Sequence, residues 1–196
     1  MKHLSTLWKK HPQWVLVVAL ALLLLVAAFV VPTAPKIINK VDLLQKHPTK
    51  RFPTRTLSQI TRIAVHHSAS ENQTEDDYAR YHVQSRSWPG IGYTFVIRDD
   101  KEGTIVQTND LTTICYNVDS GNTPTIGICL SGNFSNRKPS PAQLKSLGKL
   151  IRHLRRLLQK DLPVEGHRTL QPHQPTSCPG DYLFVHLAQY NKNIAA

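Results

Sequence analysis

Two histidines and a cysteine crowd the turn-rich stretch GHRTLQPHQPTSCPG, residues 166–180. His167, His173 and Cys178 are side chains that zinc accepts, because imidazole nitrogen and thiolate sulfur both suit its tetrahedral coordination. A further pair of adjacent histidines ends the run RIAVHH, residues 62–67. The sequence contains neither HExxH nor CxxC, so spacing alone leaves three interpretations open: a metal site, a disulfide corner and a polar loop.

The adjacent histidines are expected to have different environments. Neighbouring residues of a strand point to opposite faces of the sheet, so a single metal ion would take one of the two. Alternation does not choose between His66 and His67, because a central strand can be buried on both sides.

The elements that must position these side chains alternate between strand and helix. A hydroxyl cap followed by acidic residues marks one helix start, and a Ser-Pro pair marks the start of a longer amphipathic helix. Two β-rich runs around DDKEG predict a hairpin. The predicted strands cover residues 62–67, 93–98, 104–107 and 125–132, and the predicted helices start after Thr74 (to about Gln84), after Ser140, and over 181–191. This order predicts a single mixed α/β domain with a central sheet flanked by helices.

The residues before this domain have a different composition. Residues 14–31 read WVLVVALALLLLVAAFVV, which is long enough to predict a transmembrane signal anchor after a short basic cytoplasmic segment, residues 1–13. The first alternative is a signal peptide that is cleaved near Ala28. The second is a buried helix of a soluble protein. Lysines flank the run on both sides, so the positive-inside bias does not decide its orientation.

Residues 32–61 are rich in proline and lysine and lack apolar periodicity, so they predict a basic tether to a domain over 62–196. Most of the chain's formal net charge of +11 precedes residue 62. Because this excess lies outside the predicted fold, nucleic acid is not expected as a partner. Anionic wall polymers or lipid head groups suit that location, as does a solvated linker.

The chain has three cysteines, Cys115, Cys129 and Cys178. An odd number argues against a secreted disulfide framework and leaves at least one thiol to explain. A Cys115–Cys129 disulfide stays open, and Cys129 alone is expected to be a small buried apolar residue.

Four blocks occur in a fixed order: IAVHHSAS, SWPGIGYTFVIRDDKEGTI, TIGICLSGNF and GHRTLQPHQPTSCPG. Together they resemble the type-2 N-acetylmuramoyl-L-alanine amidases and peptidoglycan recognition proteins, a family that includes phage lysozyme-type amidases. The resemblance covers residues 62 to about 190. It implies that His66, His167 and Cys178 ligate Zn²⁺ and that Tyr93 and Thr176 are catalytic. His82 matches a recurrent family histidine that packs against or lines the groove.

This chain departs from the family pattern in two ways. The interval from His167 to Cys178 is longer than in many relatives, and we expect His173, which lies within it, to be exposed and dispensable. Cys129 occupies a strand position that holds a glutamate in some branches, which leaves the general base open.

The resemblance implies that the chain hydrolyses the amide between N-acetylmuramic acid and L-alanine in peptidoglycan, with zinc as cofactor. The apolar run predicts that it does so as a membrane-anchored protein, and we expect a monomer. Peptidoglycan lies outside the membrane, so the domain is expected there, with the short N-terminus inside. The alternative is a non-catalytic peptidoglycan-binding module. Recognition proteins that lost catalysis typically lack the cysteine ligand, so the presence of Cys178 favours the enzyme.

Overall fold

The computed structural model describes residue 13 and the ranges 16–21, 34–170 and 175–192. The chain divides into two compact units, Met1–Ala34 and Pro35–Ala196. Residue 13 of the predicted basic segment and residues 16–21 of the predicted anchor over 14–31 are described, and they are helical. The other residues of these two segments, including the cleavage site at Ala28, lie outside the described part of the chain. Among the described residues, none of the helices combines the length and apolar character that crossing a membrane requires.

A mixed six-stranded sheet forms the centre of the second unit within the described residues, in the order β1-β4-β3-β5-β2-β6. Its four neighbours β3, β5, β2 and β6 are parallel, whereas β4 is antiparallel to β3 and parallel to the edge strand β1. The strands are β1 Ile37–Asn39, β2 Arg62–His67, β3 Phe95–Ile97, β4 Ile105–Gln107, β5 Thr125–Leu130 and β6 Val164–Gly166. The central strands β2 and β5 are buried almost throughout, which explains their nearly unbroken apolar sequence.

Two longer helices begin where the sequence predicts them. Helix α1, Glu75–Gln84, follows Thr74, and α2, Pro141–Leu158, follows Ser140. The Ser140 hydroxyl accepts a hydrogen bond from the Gln143 backbone N–H at 3.1 Å, satisfying one of the free donors at the helix start. The predictions of the two helix starts are confirmed.

The helices cover opposite faces of the sheet. In β3, Phe95 and Ile97 belong to the apolar cluster that contains buried side chains of α2, whereas Val96 belongs to the cluster that contains buried side chains of α1. The predicted β3–β4 hairpin is confirmed, and its turn contains Gly103 at φ +61°. A Cβ on Gly103 would lie 2.6 Å from the Ala142 backbone, so the turn packs closely on the start of α2.

The segment predicted as a tether is folded from residue 35 onward. Strand β1 pairs with β4 at the edge of the sheet, and the side chains of Leu44 and Ile60 are 6% and 0% exposed. The tether prediction over 32–61 is therefore wrong for residues 35–61, which belong to the domain unit. The segment is rich in proline and lysine, and its edge strand has three residues, which is too short to produce a periodic pattern.

The predicted closing helix over 181–191 is two shorter pieces. Helix α4, Asp181–Phe184, is followed by a 3₁₀ helix, Leu187–Asn191. The break lets Leu183 and Leu187 both enter the core. The Asn191 amide then bonds both backbone groups of Val164 at 2.9 Å, tying the end of the chain to β6.

Candidate metal centre and groove

Adjacent parallel strands bring the first two candidate ligands together. Val65 of β2 is in register with Gly166 of β6, and the next residue along each path is a histidine, His66 or His167. His167 begins the short helix α3, His167–Leu170, at the carboxyl end of β6. The carboxyl edge of parallel strands is where ligand sites of α/β proteins commonly form.

Cys178 completes a cluster with the two histidines. One ligand atom from each of His66, His167 and Cys178 lies within 4.8 Å of the others. The Cys178 sulfur is 3.7 Å from His66 Nδ1, and the two imidazole centroids are 4.6 Å apart. Nitrogen and sulfur ligands of one tetrahedral zinc ion lie about 3.5 Å apart, so the donor set and its spacing fit zinc. His173 lies outside the described residues.

Burial keeps His66 and Cys178 of this cluster uncharged in the metal-free protein. It lowers the pKa of His66 well below its ordinary value, and neighbouring His167 lowers it further. It also raises the pKa of the Cys178 thiol to about 12. The His66 imidazole is therefore already in the neutral form that ligates metal, whereas the thiol must lose its proton when a metal binds.

Two further histidines line the groove in fixed tautomers. Burial lowers the pKa of His67 and of His82 to about 4, so both rings are neutral at pH 7. His67 Nδ1 accepts from the Phe134 backbone N–H at 3.2 Å, and His82 Nδ1 accepts from that of Gly92 at 3.1 Å. Each ring therefore carries its proton on Nε2 and acts as a donor there.

Tyr93 lies beside the candidate ligands, with its ring centroid 5.2 Å from that of His66. Burial raises its pKa well above the usual value, with contributions from the neighbouring thiols Cys129 and Cys178. Its hydroxyl therefore keeps its proton at neutral pH and is a hydrogen-bond donor. The other predicted catalytic residue, Thr176, also lines the groove, and its hydroxyl accepts from the Cys178 backbone N–H at 3.2 Å.

The cluster opens into a groove of about 630 Å³. Aromatic side chains make up much of its lining, and His82 stacks on Trp88 with ring centroids 4.7 Å apart. Tyr116 and Trp88 pack nearly at right angles, with ring centroids 5.8 Å apart. Of the described residues lining this groove, Arg86 alone carries a formal charge and none is a carboxylate. The groove therefore suits a largely uncharged, polar ligand with flat apolar surfaces.

The sequence profile of the family described as N-acetylmuramoyl-L-alanine amidase matches residues 56–181. The chain belongs to this family. The match includes each of the candidate ligands as well as Tyr93 and Thr176.

Curated amidases and recognition proteins are similar to this chain. An N-acetylmuramoyl-L-alanine amidase of Sus scrofa is 31% identical over 121 residues, covering 59% of this chain and 19% of the relative. Peptidoglycan recognition protein 1 of Bos indicus is 30% identical over 125 residues, covering 62% of this chain and 63% of the relative. The chain thus spans less than two thirds of the length of either relative, and about a fifth of the length of the Sus scrofa amidase.

Solved structures agree with the fold. The N-acetylmuramoyl-L-alanine amidase LysC from Clostridium intestinale URNW superposes with a TM-score of 0.63 at 26% identity, over 80% of this chain and 98% of that one. Drosophila peptidoglycan recognition protein SD has a TM-score of 0.69 at 18% identity, over 79% and 94% of the two chains, which shows the shared fold alone.

Some features of this amidase-family site have no signal in the sequence. Asn117, in the irregular segment before β5, lies 3.3 Å from His66 through its side-chain oxygen. The groove continues into a second arm of about 510 Å³, where Asp119 and Asn122 join the lining. No periodic pattern in the sequence predicts the contact of the Asn117 amide with His66 or the second arm of the groove, because both depend on loops that meet only in the folded chain.

The remaining thiols do not form the disulfide that the sequence left open. Cys115, Cys129 and Cys178 are all free and buried. Cys129 is fully buried in the apolar cluster under α1, as expected, and its thiol contacts the Tyr93 side chain.

Proposed function

We propose that this chain is a zinc-dependent amidase that hydrolyses the bond between the lactyl group of N-acetylmuramic acid and L-alanine in peptidoglycan. The observation that carries the proposal is the convergence of His66, His167 and Cys178 beside Tyr93, at the floor of an open groove. Membership of the amidase family supports the same reaction.

His66, His167 and Cys178 would hold the zinc ion, and three protein ligands leave a fourth position open, as a catalytic site requires. Zinc, when bound, supplies a Lewis acid that polarises the amide carbonyl and activates water at neutral pH. The chain's own residues must then orient the amide, stabilise the charge that develops on its oxygen and handle the proton.

Tyr93 is assigned the role of hydrogen-bond donor to the amide oxygen as negative charge develops there. Its raised pKa keeps the hydroxyl protonated, and its place against His66 directs it to the reacting bond. One such donor contributes about 3–4 kcal/mol to lowering the barrier.

Thr176 is assigned the role of orienting the attacking water. Its hydroxyl is fixed by the Cys178 backbone, but a hydroxyl is too weakly basic to remove a proton unaided. The described lining of the groove around the candidate ligands lacks a carboxylate, and Asp119 joins the lining only in the second arm, so the glutamate used by other branches has no equivalent beside these ligands.

The groove suits a muropeptide. Trp88 and Tyr116 offer flat faces against which the apolar face of a sugar ring can lie, and the Nε2–H groups of His67 and His82 are available as donors to hydroxyl and carbonyl groups. Arg86 supplies a cation for a carboxylate of the stem peptide.

The location of the substrate sets the location of the domain. We infer that residues 14–31 anchor the chain, with residues 1–13 inside the cell and the domain on the outer side of the membrane. Release by cleavage near Ala28 is the alternative, and the two differ in whether the mature protein stays with washed membranes.

The proposal is tested by mass analysis of fragments released from purified peptidoglycan by the zinc-loaded full chain. We expect free stem peptides with a new L-alanine amino terminus. Tyr93→Phe should release them about 100- to 1,000-fold more slowly, because the donor to the developing charge is lost.

A chain that binds peptidoglycan and zinc but releases no peptide would support the recognition alternative, which the similarity to peptidoglycan recognition protein 1 keeps in view. Release at the same rate by Tyr93→Phe would contradict the role of Tyr93. Glycan fragments without free stem peptides would contradict the bond assignment.

A further inference from the structure

We propose that Asn117 is a positioning residue for the metal centre. Its side-chain oxygen holds the His66 imidazole in the tautomer that carries the proton on Nε2, so that the lone pair of Nδ1 faces the point shared with His167 and Cys178. The inference rests on the proposed zinc role of these ligands, but its first consequence, the tautomer of His66, exists in the metal-free protein.

The contact that supports this role is specific to one end of the amide. Asn117 Oδ1 is 3.3 Å from His66 Nε2, while its Nδ2 donates to the backbone carbonyl of Cys115 at 3.0 Å. Rotating the amide by half a turn would place Oδ1 against that carbonyl, bringing two acceptors together and leaving a buried donor at His66. The Cys115 carbonyl therefore fixes which end of Asn117 faces the imidazole.

An oxygen that can only accept requires a donor from His66, which assigns the proton to Nε2. In a neutral imidazole the other nitrogen is then an acceptor. On the far side of the ring, Nδ1 is 3.7 Å from the Cys178 sulfur, so the nitrogen that this tautomer leaves with a lone pair is the one that faces the other candidate ligands.

Asn117 is itself held by the fold. It is 8% exposed, and Asn122 Oδ1 accepts hydrogen bonds from the backbone N–H groups of both Asn117 and Val118 at 2.8 Å. On its other side lies Gly127 of β5, where a Cβ would come within 2.9 Å of Asn117 Cγ. The absence of a side chain at position 127 makes room for the amide between strand and imidazole.

The arrangement matters because a metal ligand binds through one nitrogen only. A histidine ligand typically donates its other N–H to a carbonyl or carboxylate, which fixes both tautomer and ring orientation. Loss of such a partner lowers metal affinity by about 10–100-fold, and this is the effect expected here for removal of the Asn117 amide.

The test begins with nitrogen NMR of the histidine side chains in the metal-free full chain. We expect His66 in the wild type to have a protonated Nε2 and an unprotonated Nδ1. In Asn117→Ala the ring should become a mixture of tautomers, and competition with a chelator should show zinc affinity about 10–100-fold lower. Wild-type His66 with its proton on Nδ1 would overturn the proposal without any variant.

Two variants separate positioning from general loss of stability. Asn191→Ala removes an amide that also makes two backbone hydrogen bonds, to Val164, and should leave the His66 tautomer and zinc affinity unchanged. Asn117→Asp keeps an acceptor for Nε2–H, so it should retain the wild-type tautomer even though it loses the donor to Cys115. Equal loss of zinc affinity in Asn191→Ala and Asn117→Ala would assign Asn117 a merely structural role.

Failure of this inference is distinguishable from failure of the amidase proposal. If the wild type shows the expected tautomer and Asn117→Ala weakens zinc binding, the positioning role stands even when no peptide is released. If peptide is released at full rate by Asn117→Ala and its zinc affinity and tautomer match the wild type, the positioning role falls while the amidase proposal stands.

Discussion

Two buried clusters of ionisable side chains in this domain have opposite electrostatics. Glu75 of α1 is fully buried, and it accepts hydrogen bonds from Lys40 Nζ at 2.9 Å and from Arg98 Nε at 3.0 Å. The candidate metal centre, buried at His66 and Cys178 and half-buried at His167, gathers two imidazoles and a thiol instead. One cluster is ionised and internally paired, whereas burial keeps His66 and Cys178 of the other uncharged.

The difference lies in whether the chain provides opposite charge. Burial alone would raise the pKa of Glu75, but hydrogen bonds from Arg98 and Lys40 hold it at about 2. At His66 burial lowers the pKa well below its ordinary value, and only the hydrogen bond with Asn117 opposes it. Three metal-ligating side chains around one point, with no carboxylate among them, form an arrangement that an external cation completes. The paired cluster instead links Lys40, in the segment that the sequence predicted as a tether, to Glu75 of α1.

Removing one metal ligand should have the largest effect. Zinc sites bind with about 10–16 kcal/mol shared among their ligands, so Cys178→Ser should lower zinc affinity by about 3–4 kcal/mol, which is several hundredfold. Competition with a chromophoric chelator measures this, and peptide release at limiting zinc should fall in parallel. The metal-free variant should unfold at the same urea concentration as the metal-free wild type. Unchanged zinc affinity would remove Cys178 from the ligand set.

Breaking the paired cluster should affect stability and leave the metal centre intact. Glu75→Gln removes the charge that Lys40 and Arg98 share, and we expect a loss of about 2–3 kcal/mol in the free energy of unfolding by urea. Asp76→Asn is the matched control, because Asp76 also pairs with Lys40 but its side chain is 51% exposed. A drop in zinc affinity in Glu75→Gln would show that the clusters are not independent.

Acid should reproduce part of that effect. Because the pKa of Glu75 is about 2 in the folded protein and 4.5 in its ordinary state, its stabilisation is complete above pH 4.5 and is lost as the pH falls toward 2. The contribution lost by pH 3 is about 2 kcal/mol. Urea unfolding of wild type and Glu75→Gln at pH 6 and pH 3 measures this loss, because the difference between their free energies of unfolding should be smaller at pH 3. A difference that stays constant would place the pKa of Glu75 at its ordinary value.

The smallest effect is expected at the partly exposed cation. Lys40→Met should cost under about 1 kcal/mol, and hydrogen exchange should accelerate in β1 but not in β2. Lys46→Met is the control, since Lys46 pairs with Asp42 on the surface and should alter neither strand. Equal protection of β1 in wild type and Lys40→Met would show that strand pairing alone holds the segment.

The sequence predicts the parts of this fold that repeat a local rule. Strand β2, the hairpin and the starts of α1 and α2 follow from apolar runs, turn residues and caps. Strand β1 is missed because three residues cannot establish a period, and its burial depends on β4, far along the chain. The candidate ligands came from the resemblance of four blocks to a family, since their spacing alone left other interpretations open. Asn117 was not predicted, because its role arises from a contact across a loop and a strand.

The position of β1 also determines where mechanical load enters the domain. Any pull on the residues before it falls first on the three-residue pairing with β4 and on the ion pairs of Lys40. Strands β4, β3 and β5 separate this edge from β2, which carries His66, and from β6, which directly precedes His167. Loss of the β1–β4 pairing would therefore leave the pairing of β2 with β5 and β6, which sets the ligand geometry, directly unbroken.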